Sequence, residues 1–458
     1  MNTLSLRFKC GYAAAEAGIN ATEILIRLYL LNFYTDMVGL SPWYAGLAGF
    51  IGLIWDAITD PIIGQISDRT QGRFNGRSPF LFNGTLLLSA SLVILFSPPQ
   101  DLEEFQLFLY MLIAYLLLNT ALTILAVPYM ALASGLTNNR NERSVLFALR
   151  FAFGNLGSLT AVALPGLLLA SAHNRMGQVE AMAYIAWLIA GLILVTGLIS
   201  WFTILRFNNQ TFVHSDLPIL ESLRSIQSNK AFLPLLGSYT IATFGVTLNS
   251  GLARYYYLYR LRLTEAEVGI LLVFFMFVFT LSLIGWVRIS RTYGKLKPLR
   301  CGIILLGIGS SISYPLFPVG NLMAPMIVAG GILGGLVGCV VLLDSILTDV
   351  IDLDQIKHGN EKSGIYFGIW RFASKLARAT AFFITGALLS HLGFQPNMVQ
   401  SETVSIGITW LFGPGVGISL ILSGIVLITY KFDDSKQKKV SRLLQKRSSE
   451  SFECTHEV

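Results

Sequence analysis

Long apolar runs, most of about twenty residues or more, recur from one end of the chain to the other and are separated by short polar stretches. A helix that crosses a bilayer needs about 20 mostly apolar residues. Strands of a membrane barrel are about half that length and alternate apolar with polar positions, which these runs do not. The pattern therefore predicts an all-α polytopic membrane protein with twelve transmembrane helices. The predicted helices lie near residues 10–38, 43–66, 79–97, 105–134, 144–171, 182–206, 231–259, 264–289, 298–318, 321–348, 363–391 and 405–431.

Composition supports this class of protein. The 458 residues are 53% hydrophobic and only 13% charged, whereas a soluble domain is about 25% charged. The net charge of +7 could suggest a nucleic-acid partner, but the Lys and Arg residues collect in short loops and in the C-terminal tail. That distribution follows the positive-inside rule. We therefore expect a multi-pass protein of the plasma (bacterial inner) membrane, with both termini cytoplasmic and no nucleic acid bound.

The most polar interior stretch, residues 207–230, divides the predicted helices six and six. We interpret residues 1–206 as one six-helix bundle, 207–230 as a cytoplasmic linker and 231–431 as a second six-helix bundle. Residues 432–458 would be a solvated cytoplasmic tail near anionic lipid. Two such bundles can rock against each other.

Two carboxylates stand on the predicted second helix, inside an otherwise apolar run. Asp56 and Asp60 are one helical turn apart and share a face. Each opposes membrane insertion by roughly 2.5–3.5 kcal/mol, so the pair requires a cation, a shared proton or a basic partner. Thr59 and Thr123 could add hydroxyl oxygens. The pattern predicts a site for a coupling cation, Na⁺ or H⁺, and the alternative is that the aspartates only bridge to basic residues and hold helices together.

The predicted first helix carries a polar stripe that includes Asn20, Glu23 and Arg27. Residues three and four positions apart lie on one face of a helix, and a polar face in a membrane turns toward the protein interior or a cavity. We therefore expect Asn20 and Glu23 to contact the solute. Glu23 and Arg27 could instead simply pair with each other.

Cations dominate the predicted eleventh helix, where Arg371, Lys375 and Arg378 share a face beside Trp370. Three cations in one span cannot face lipid, so we expect them to point toward the carboxylates or the solute. Arg254 on the seventh helix could add another. Snorkelling to the membrane interface is the alternative for Arg254 and Arg378. The Trp370 ring is expected to contact the solute, and simple packing is the alternative for it.

Charge clusters at helix ends predict gating contacts. One cluster contains Asp68, Arg69 and Arg73 after the second helix, and the other contains Asp349 and Asp352 near the end of the tenth. Such clusters can latch two bundles together in one state and release them in another. Solvated loop charge is the alternative reading.

Two segments, "IWDAITDPIIGQISDRT" and "DVIDLDQIKHGNEKSGIYFGIWRFASKLA", resemble the glycoside–pentoside–hexuronide:cation symporters. These form the melibiose-permease family within the major facilitator superfamily. "FYTDMVGLS" and "VPYMAL" fit as well, so the likeness extends from the first helix through the eleventh. The resemblance implies the major facilitator fold with twelve helices in two six-helix bundles, alternating access, and uptake coupled to Na⁺, Li⁺ or H⁺.

By this resemblance, Asp56 and Asp60 match the cation-site carboxylates and Thr123 matches a threonine of that site. Lys375 matches the lysine of the eleventh helix, and Arg150 matches a basic residue that opens the fifth. We expect both Arg150 and Lys375 to contact the solute.

The sugar-binding side departs from the family pattern. Asn20 and Ala126 stand where melibiose permease has aspartates, Met130 replaces a tryptophan, and Thr59 replaces an asparagine. Without those aspartates, tight binding of a galactoside is not expected. The excess of cavity cations suits an anionic or zwitterionic solute, and an amphiphilic one stays open because eukaryotic relatives carry lysophospholipids.

We therefore expect a secondary active transporter that moves a cation together with a small organic solute, foremost a carbohydrate or glycoside. The alternatives are symport of an anionic or amphiphilic solute such as a uronate, organic acid or lysolipid, and proton-driven export. No cofactor besides the coupling ion is expected, and the protein should function as a monomer. An enzyme is not expected, because the five histidines show no H-E-x-x-H spacing and no G-x-S-x-G motif is present.

Overall fold

The computed structural model describes residues 4–69, 77–136, 140–172, 175–205, 229, 231–358, 363–396 and 398–430. Within these ranges the chain forms twelve long helices, some of which contain short wide π-type turns. The predicted linker 207–230, apart from Asn229, and the predicted tail 432–458 lie outside the described residues.

The helices run up and down in chain order. They are α1 (6–38), α2 (Pro42–Arg69), α3 (Ser78–Leu95), α4 (Glu104–Leu136), α5 (140–171), α6 (Arg175–Leu205), α7 (232–260), α8 (Glu265–Tyr293), α9 (Leu296–Leu316), α10 (323–358), α11 (Ser363–His391) and α12 (402–429).

The predicted all-helical class and the helix count are confirmed for the described part of the chain. The clearest differences between the predicted and the observed helix bounds are at polar helix ends. α6 begins at residue 175 and α10 ends at residue 358, each several residues beyond the apolar run, because a helix can continue into the interface where its polar residues are hydrated. Ten of the helices are long and apolar enough to cross a membrane. The other two, α1 and α7, carry more polar residues and contact each other between the two halves.

The two halves of the chain repeat one packing scheme. In the first half α1 contacts α5 and α6, α2 contacts α4, and α3 contacts α4 and α6. In the second half each contact recurs six helices later, so that α7 contacts α11 and α12, α8 contacts α10, and α9 contacts α10 and α12. The halves contact each other through α2 with α11 and through α5 with α8. These two contacts are also equivalent, because α8 is six helices after α2 and α11 is six helices after α5. Parallel repeats of this kind are typical of major facilitator transporters.

Local sequence determines several helix ends on the face opposite the chain termini. α1 ends at Gly39, whose left-handed backbone (φ 100°) carries no Cβ penalty. α8 begins at a capping box, in which the Thr264 side chain accepts from the Glu267 amide and the Glu267 carboxylate accepts from the Thr264 amide.

Glycines bring the two halves into backbone contact near this same face. Gly46 of α2 lies against Gly386 of α11. A Cβ added to Gly386 would be 2.2 Å from the Pro42 carbonyl oxygen. Gly166 of α5 lies against Gly269 of α8. A Cβ added to Gly269 would be 2.5 Å from the Gly166 Cα. Side chains at these positions would force the helices apart. Both crossings therefore hold the halves together on the face opposite the termini.

We predict that Gly386→Ala lowers the free energy of unfolding by about 1–3 kcal/mol, because the new methyl group has no room at the crossing. Thermal unfolding of the purified protein in detergent would measure the change. Gly368→Ala on the same helix is the matched control, since nothing lies within 4 Å of its added Cβ, and it should not lower stability. Equal losses in the two variants would contradict the prediction.

Candidate functional site

Asp56 and Asp60 face α11, where a single ammonium group contacts both. Lys375 Nζ lies 2.8 Å from Asp56 Oδ2 and 2.5 Å from Asp60 Oδ2. The ammonium also donates to the Asp56 carbonyl oxygen at 3.0 Å, so each of its three hydrogens has a partner. Asp56 and Lys375 are buried, and Asp60 is half-buried. One lysine of the second half is thus held by two carboxylates of the first.

The Thr123 hydroxyl of α4 bridges the two carboxylates on the side away from the lysine. Its Oγ1 is 3.0 Å from Asp56 Oδ1 and 3.1 Å from Asp60 Oδ1. A hydroxyl has one hydrogen to donate, so it serves one of these oxygens at a time, and a bound cation or a shared proton would satisfy the other. Thr59 is also buried, but its hydroxyl donates to the Asp56 carbonyl oxygen of its own helix at 3.3 Å.

The charges of this cluster do not cancel. Two ionised carboxylates and one ammonium leave one negative charge in a segment where water is scarce. A monovalent cation or a proton would neutralise it. Because Lys375 already occupies one side of both carboxylates, a cation that binds them weakens the attachment of the lysine. The arrangement can therefore link ion binding to the contact between α2 and α11.

A cavity of about 240 Å³ lies beside this cluster, between the two halves. It is lined by α1, α2, α4, α7 and α11, and it extends along α4 from Tyr115 to Met130. At 1.5 Å per residue that is a length of about 20 Å, directed from the membrane interior toward the face that bears the chain termini. Glu23, predicted to contact the solute, lines this cavity together with Arg371.

The wall contributed by α7 and α11 is supported by stacked rings. Tyr239 lines the cavity and stacks on Trp370, with ring centroids 3.8 Å apart and planes 10° apart. The Trp370 Nε1–H donates to Asp344 at 2.7 Å. Trp370, predicted to contact the solute, thus stands behind Tyr239. Sequence reasoning did not single out Tyr239 or Asp344, because their role depends on contacts between α7, α10 and α11.

On the face opposite the termini, α1 and α7 are joined by a buried polar network. Arg254, predicted as a cavity residue, donates to Asn32 Oδ1 at 2.8 Å and forms an ion pair with Glu265 at 2.7 Å. Tyr259 donates to the Asp36 carboxylate at 2.5 Å. This network closes the same face as the glycine crossings. Asp36 belongs to the motif "FYTDMVGLS" and also accepts from Asn32 and Thr35 of its own helix, whereas Tyr259 lies more than 200 residues away in the chain.

A further ion pair, partly buried, lies within the first half. Arg150 of α5 pairs with Glu16 of α1 at 2.8 Å, and the Asn20 side chain donates to Glu16 at 3.3 Å. Neither Arg150 nor Asn20, both predicted to bind the solute, lies in the lining of the cavity. In this conformation Arg150 joins α5 to α1 through Glu16, and Asn20 donates to Glu16 within α1.

The predicted gating residues are partly described. Asp349 of α10 pairs with Lys295, just before α9, at 2.8 Å, a contact within the second half. The side chains of Asp68, Arg69 and Asp352 lie outside the described side chains, and Arg73 lies outside the described residues. The gating role of all five stays a prediction.

We predict that Lys375→Met lowers the free energy of unfolding by about 3–5 kcal/mol, because it leaves the buried Asp56 and the half-buried Asp60 without their cationic partner. The loss should be smaller in NaCl than in choline chloride, since Na⁺ can take the position between the carboxylates. Thermal unfolding in the two salts would measure this. Lys297→Met removes an exposed lysine and is the control. A loss that is equal in both salts would contradict a cation site here.

Comparison with known proteins gives a consistent picture over nearly the whole chain. The family model described as MFS/sugar transport protein matches residues 11–434. The chain is 25% identical over 457 residues to the isoprimeverose transporter of Lactiplantibacillus pentosus, covering 96% of this chain and 91% of that protein. It is 25% identical over 487 residues to sodium-dependent lysophosphatidylcholine symporter 1 of Gallus gallus, covering 98% and 90% respectively.

Among solved structures, the fold is similar to that of a bacterial homologue of the human lysosomal transporter Spinster, in an inward-facing and unoccupied conformation. The TM-score is 0.67 at 13% identity, and the match covers 96% of this chain and 97% of that one. This likeness supports the major facilitator fold.

Proposed function

Because the chain belongs to the MFS/sugar transport protein family, we propose that it couples uptake of a small organic solute to a monovalent cation bound by Asp56 and Asp60. The observation that carries this proposal is the bridge from Lys375 to both carboxylates. The bridge joins the two halves of a transporter through groups that a cation can compete for. Na⁺ and H⁺ are both compatible with two carboxylates and the Thr123 hydroxyl.

In the proposed cycle the cation binds first. It neutralises the carboxylate pair and frees Lys375, so that α11 can move relative to α2 when solute fills the cavity. The two halves then rock about the site, opening the face closed by Arg254, Tyr259 and the glycine crossings and closing the other. One positive charge that moves down 100 mV gains roughly 2.3 kcal/mol, enough for roughly 45-fold solute accumulation.

A carbohydrate or glycoside is the proposed solute class. The name of the bacterial relative, an isoprimeverose transporter, supports it. The cavity supports it as well, because its volume of about 240 Å³ suits a small molecule and its lining offers polar groups such as Asn119, Thr247 and Ser374.

The membrane and the orientation are part of the same proposal. We place this multi-pass membrane protein in a bacterial inner membrane with both termini cytoplasmic, on the basis of the cation-rich loops on that side. The cavity would then open toward the cytoplasm, and the network around Arg254 would close the external face.

We propose that a single chain suffices, because the site is formed by α2, α4 and α11 of one chain.

We predict that Asp56→Asn and Asp60→Asn each abolish ion-driven accumulation, because one carboxylate cannot hold both the cation and Lys375. The measurement is uptake of labelled isoprimeverose, methyl β-D-glucoside and methyl β-D-glucuronide into proteoliposomes under an inward Na⁺ or proton gradient. Asp101→Asn is the matched control, since Asp101 is exposed in the loop between α3 and α4. Accumulation that persists in either site variant would contradict the proposal.

The same vesicles distinguish the coupling ion and the direction of transport. Uptake that needs Na⁺ and is indifferent to a proton gradient assigns Na⁺, and the converse assigns H⁺. Proton-driven loss of preloaded solute would instead favour an exporter.

A further inference from the structure

Three arginines line the cavity without an acidic partner among the described residues. Arg27 of α1 and Arg371 and Arg378 of α11 form no ion pair there, although Arg150, Arg254 and Lys375 each do. In particular, Arg27 does not pair with Glu23 one turn before it.

The three arginines also lack strong hydrogen bonds. The Nε of Arg378 is buried and has no hydrogen-bond partner in the described structure. The contact made by Arg371 is to the Met130 sulfur at 3.5 Å, and a thioether is a weak acceptor. Leaving the buried Nε of Arg378 without an acceptor is costly, whereas Arg27 is partly buried and Arg371 is exposed where it lines the cavity. All three guanidinium groups can therefore donate to an acceptor that enters the cavity.

The charges of the whole cavity lead to the same conclusion. Its lining carries four cations and three carboxylates, a net charge of +1. A bound coupling cation or proton raises the net charge to +2. Such an excess of positive charge inside a membrane protein is unfavourable unless a negative group compensates it. A solute with an anionic group would do so, and it would bind best after the cation.

A second, mostly apolar cavity of about 160 Å³ adjoins the first, and Arg27 lines both. The second cavity lies between α1 and the second half, with a lining that includes Leu271, Phe275, Met276 and Leu333. α7 separates the two spaces, since Thr247 and Gly251 face the first cavity whereas Val246 and Ala253 face the second.

The size of the second cavity limits its occupant. An apolar cavity of about 150 Å³ holds a benzene-sized molecule, so this space accommodates one ring or a short branched alkyl group rather than a long acyl chain.

We propose that the solute is an organic anion with one compact apolar group. Its acidic group binds Arg27, Arg371 and Arg378, and its apolar group enters the second cavity past Arg27. This inference rests on the proposed function, because it takes the polar cavity as the solute site, and it defines the class of solute more narrowly. An aryl glycoside with an acidic sugar combines both features and is a suitable probe.

Four probes separate the two requirements by calorimetric titration of the full-length protein in detergent. They are 4-nitrophenyl β-D-glucuronide, 4-nitrophenyl β-D-glucoside, methyl β-D-glucuronide and methyl β-D-glucoside. Titrations in NaCl at neutral pH and in choline chloride at acidic pH cover both coupling ions. The aryl glucuronide should bind most tightly, with a loss of about tenfold or more when either the carboxylate or the ring is removed.

Matched variants assign each requirement to its cavity. Arg27→Gln or Arg378→Gln should weaken the aryl glucuronide about tenfold and leave the aryl glucoside nearly unchanged, whereas Arg288→Gln, at an exposed position of α8, should alter neither. Val337→Phe fills the second cavity and should remove the preference for aryl over methyl probes. Ile332→Phe makes the same type of change at a position of α10 that is 57% exposed and should preserve that preference.

Several results would overturn the inference. One is that the acidic and neutral probes bind with equal affinity, and another is that an arginine variant weakens binding of both aryl probes alike. A third is that the preference for aryl over methyl probes survives Val337→Phe. The fourth is that no probe binds in either condition. If the second cavity retains a phospholipid chain after purification, and the aryl probes do not displace it, that too would overturn it. Ion-driven uptake of labelled isoprimeverose into proteoliposomes, a solute that is not among the four probes, tests the proposed function separately.

Discussion

The attachment of Lys375 to Asp56 and Asp60 is the constraint on which the rest of the structure depends. A lone lysine on α11 or two lone carboxylates on α2 would each be unfavourable in a membrane, but together they are tolerated and they leave one negative charge over. That remaining charge gives the site an affinity for a cation. Because the lysine and the carboxylates belong to different halves of the chain, whatever competes for the carboxylates also changes how the halves are joined.

The other contacts between the halves are arranged around this cluster. On the face opposite the termini the halves meet through bare glycine backbones and through the network of Arg254, Asp36 and Tyr259. On the other side of the cluster the halves diverge and leave the cavity between them. The cluster thus lies at the boundary between the closed and the open part of the molecule, which is the position required of a group that responds to ion binding and influences both parts.

The sequence predicts the fold and part of the site because both depend on local patterns. Apolar runs determine the helices, and positions four residues apart determine that Asp56 and Asp60 share a face, as Arg371 and Lys375 do on α11. The surroundings of Arg254, by contrast, depend on which helices meet, and no pattern within one helix reveals that Asn32 and Glu265 accept its hydrogen bonds.

The same limit applies to the cavities. Arg27 and Glu23 have the spacing of an ion pair, yet both line the cavity and the structure shows no ion pair between them, because the cavity lies beside this face of α1. The second cavity involves α1 and five helices of the other half. Its volume follows from the packing of side chains that are remote in the chain, such as Leu28 and Val416, so a sequence pattern cannot indicate it.

The glycine crossings have a thermodynamic consequence. When α2 and α11 separate at Gly46 and Gly386, the surfaces exposed at the two glycines are main chain and single Cα atoms, and apolar area is exposed chiefly where Phe383 leaves Trp43 and Phe50. At about 25 cal/mol per Å² of apolar area, the glycines themselves add little to the hydrophobic free energy of separation. The two orientations of the halves can therefore remain close in free energy, so that the few kcal/mol supplied by binding of an ion and a solute suffice to reverse their populations.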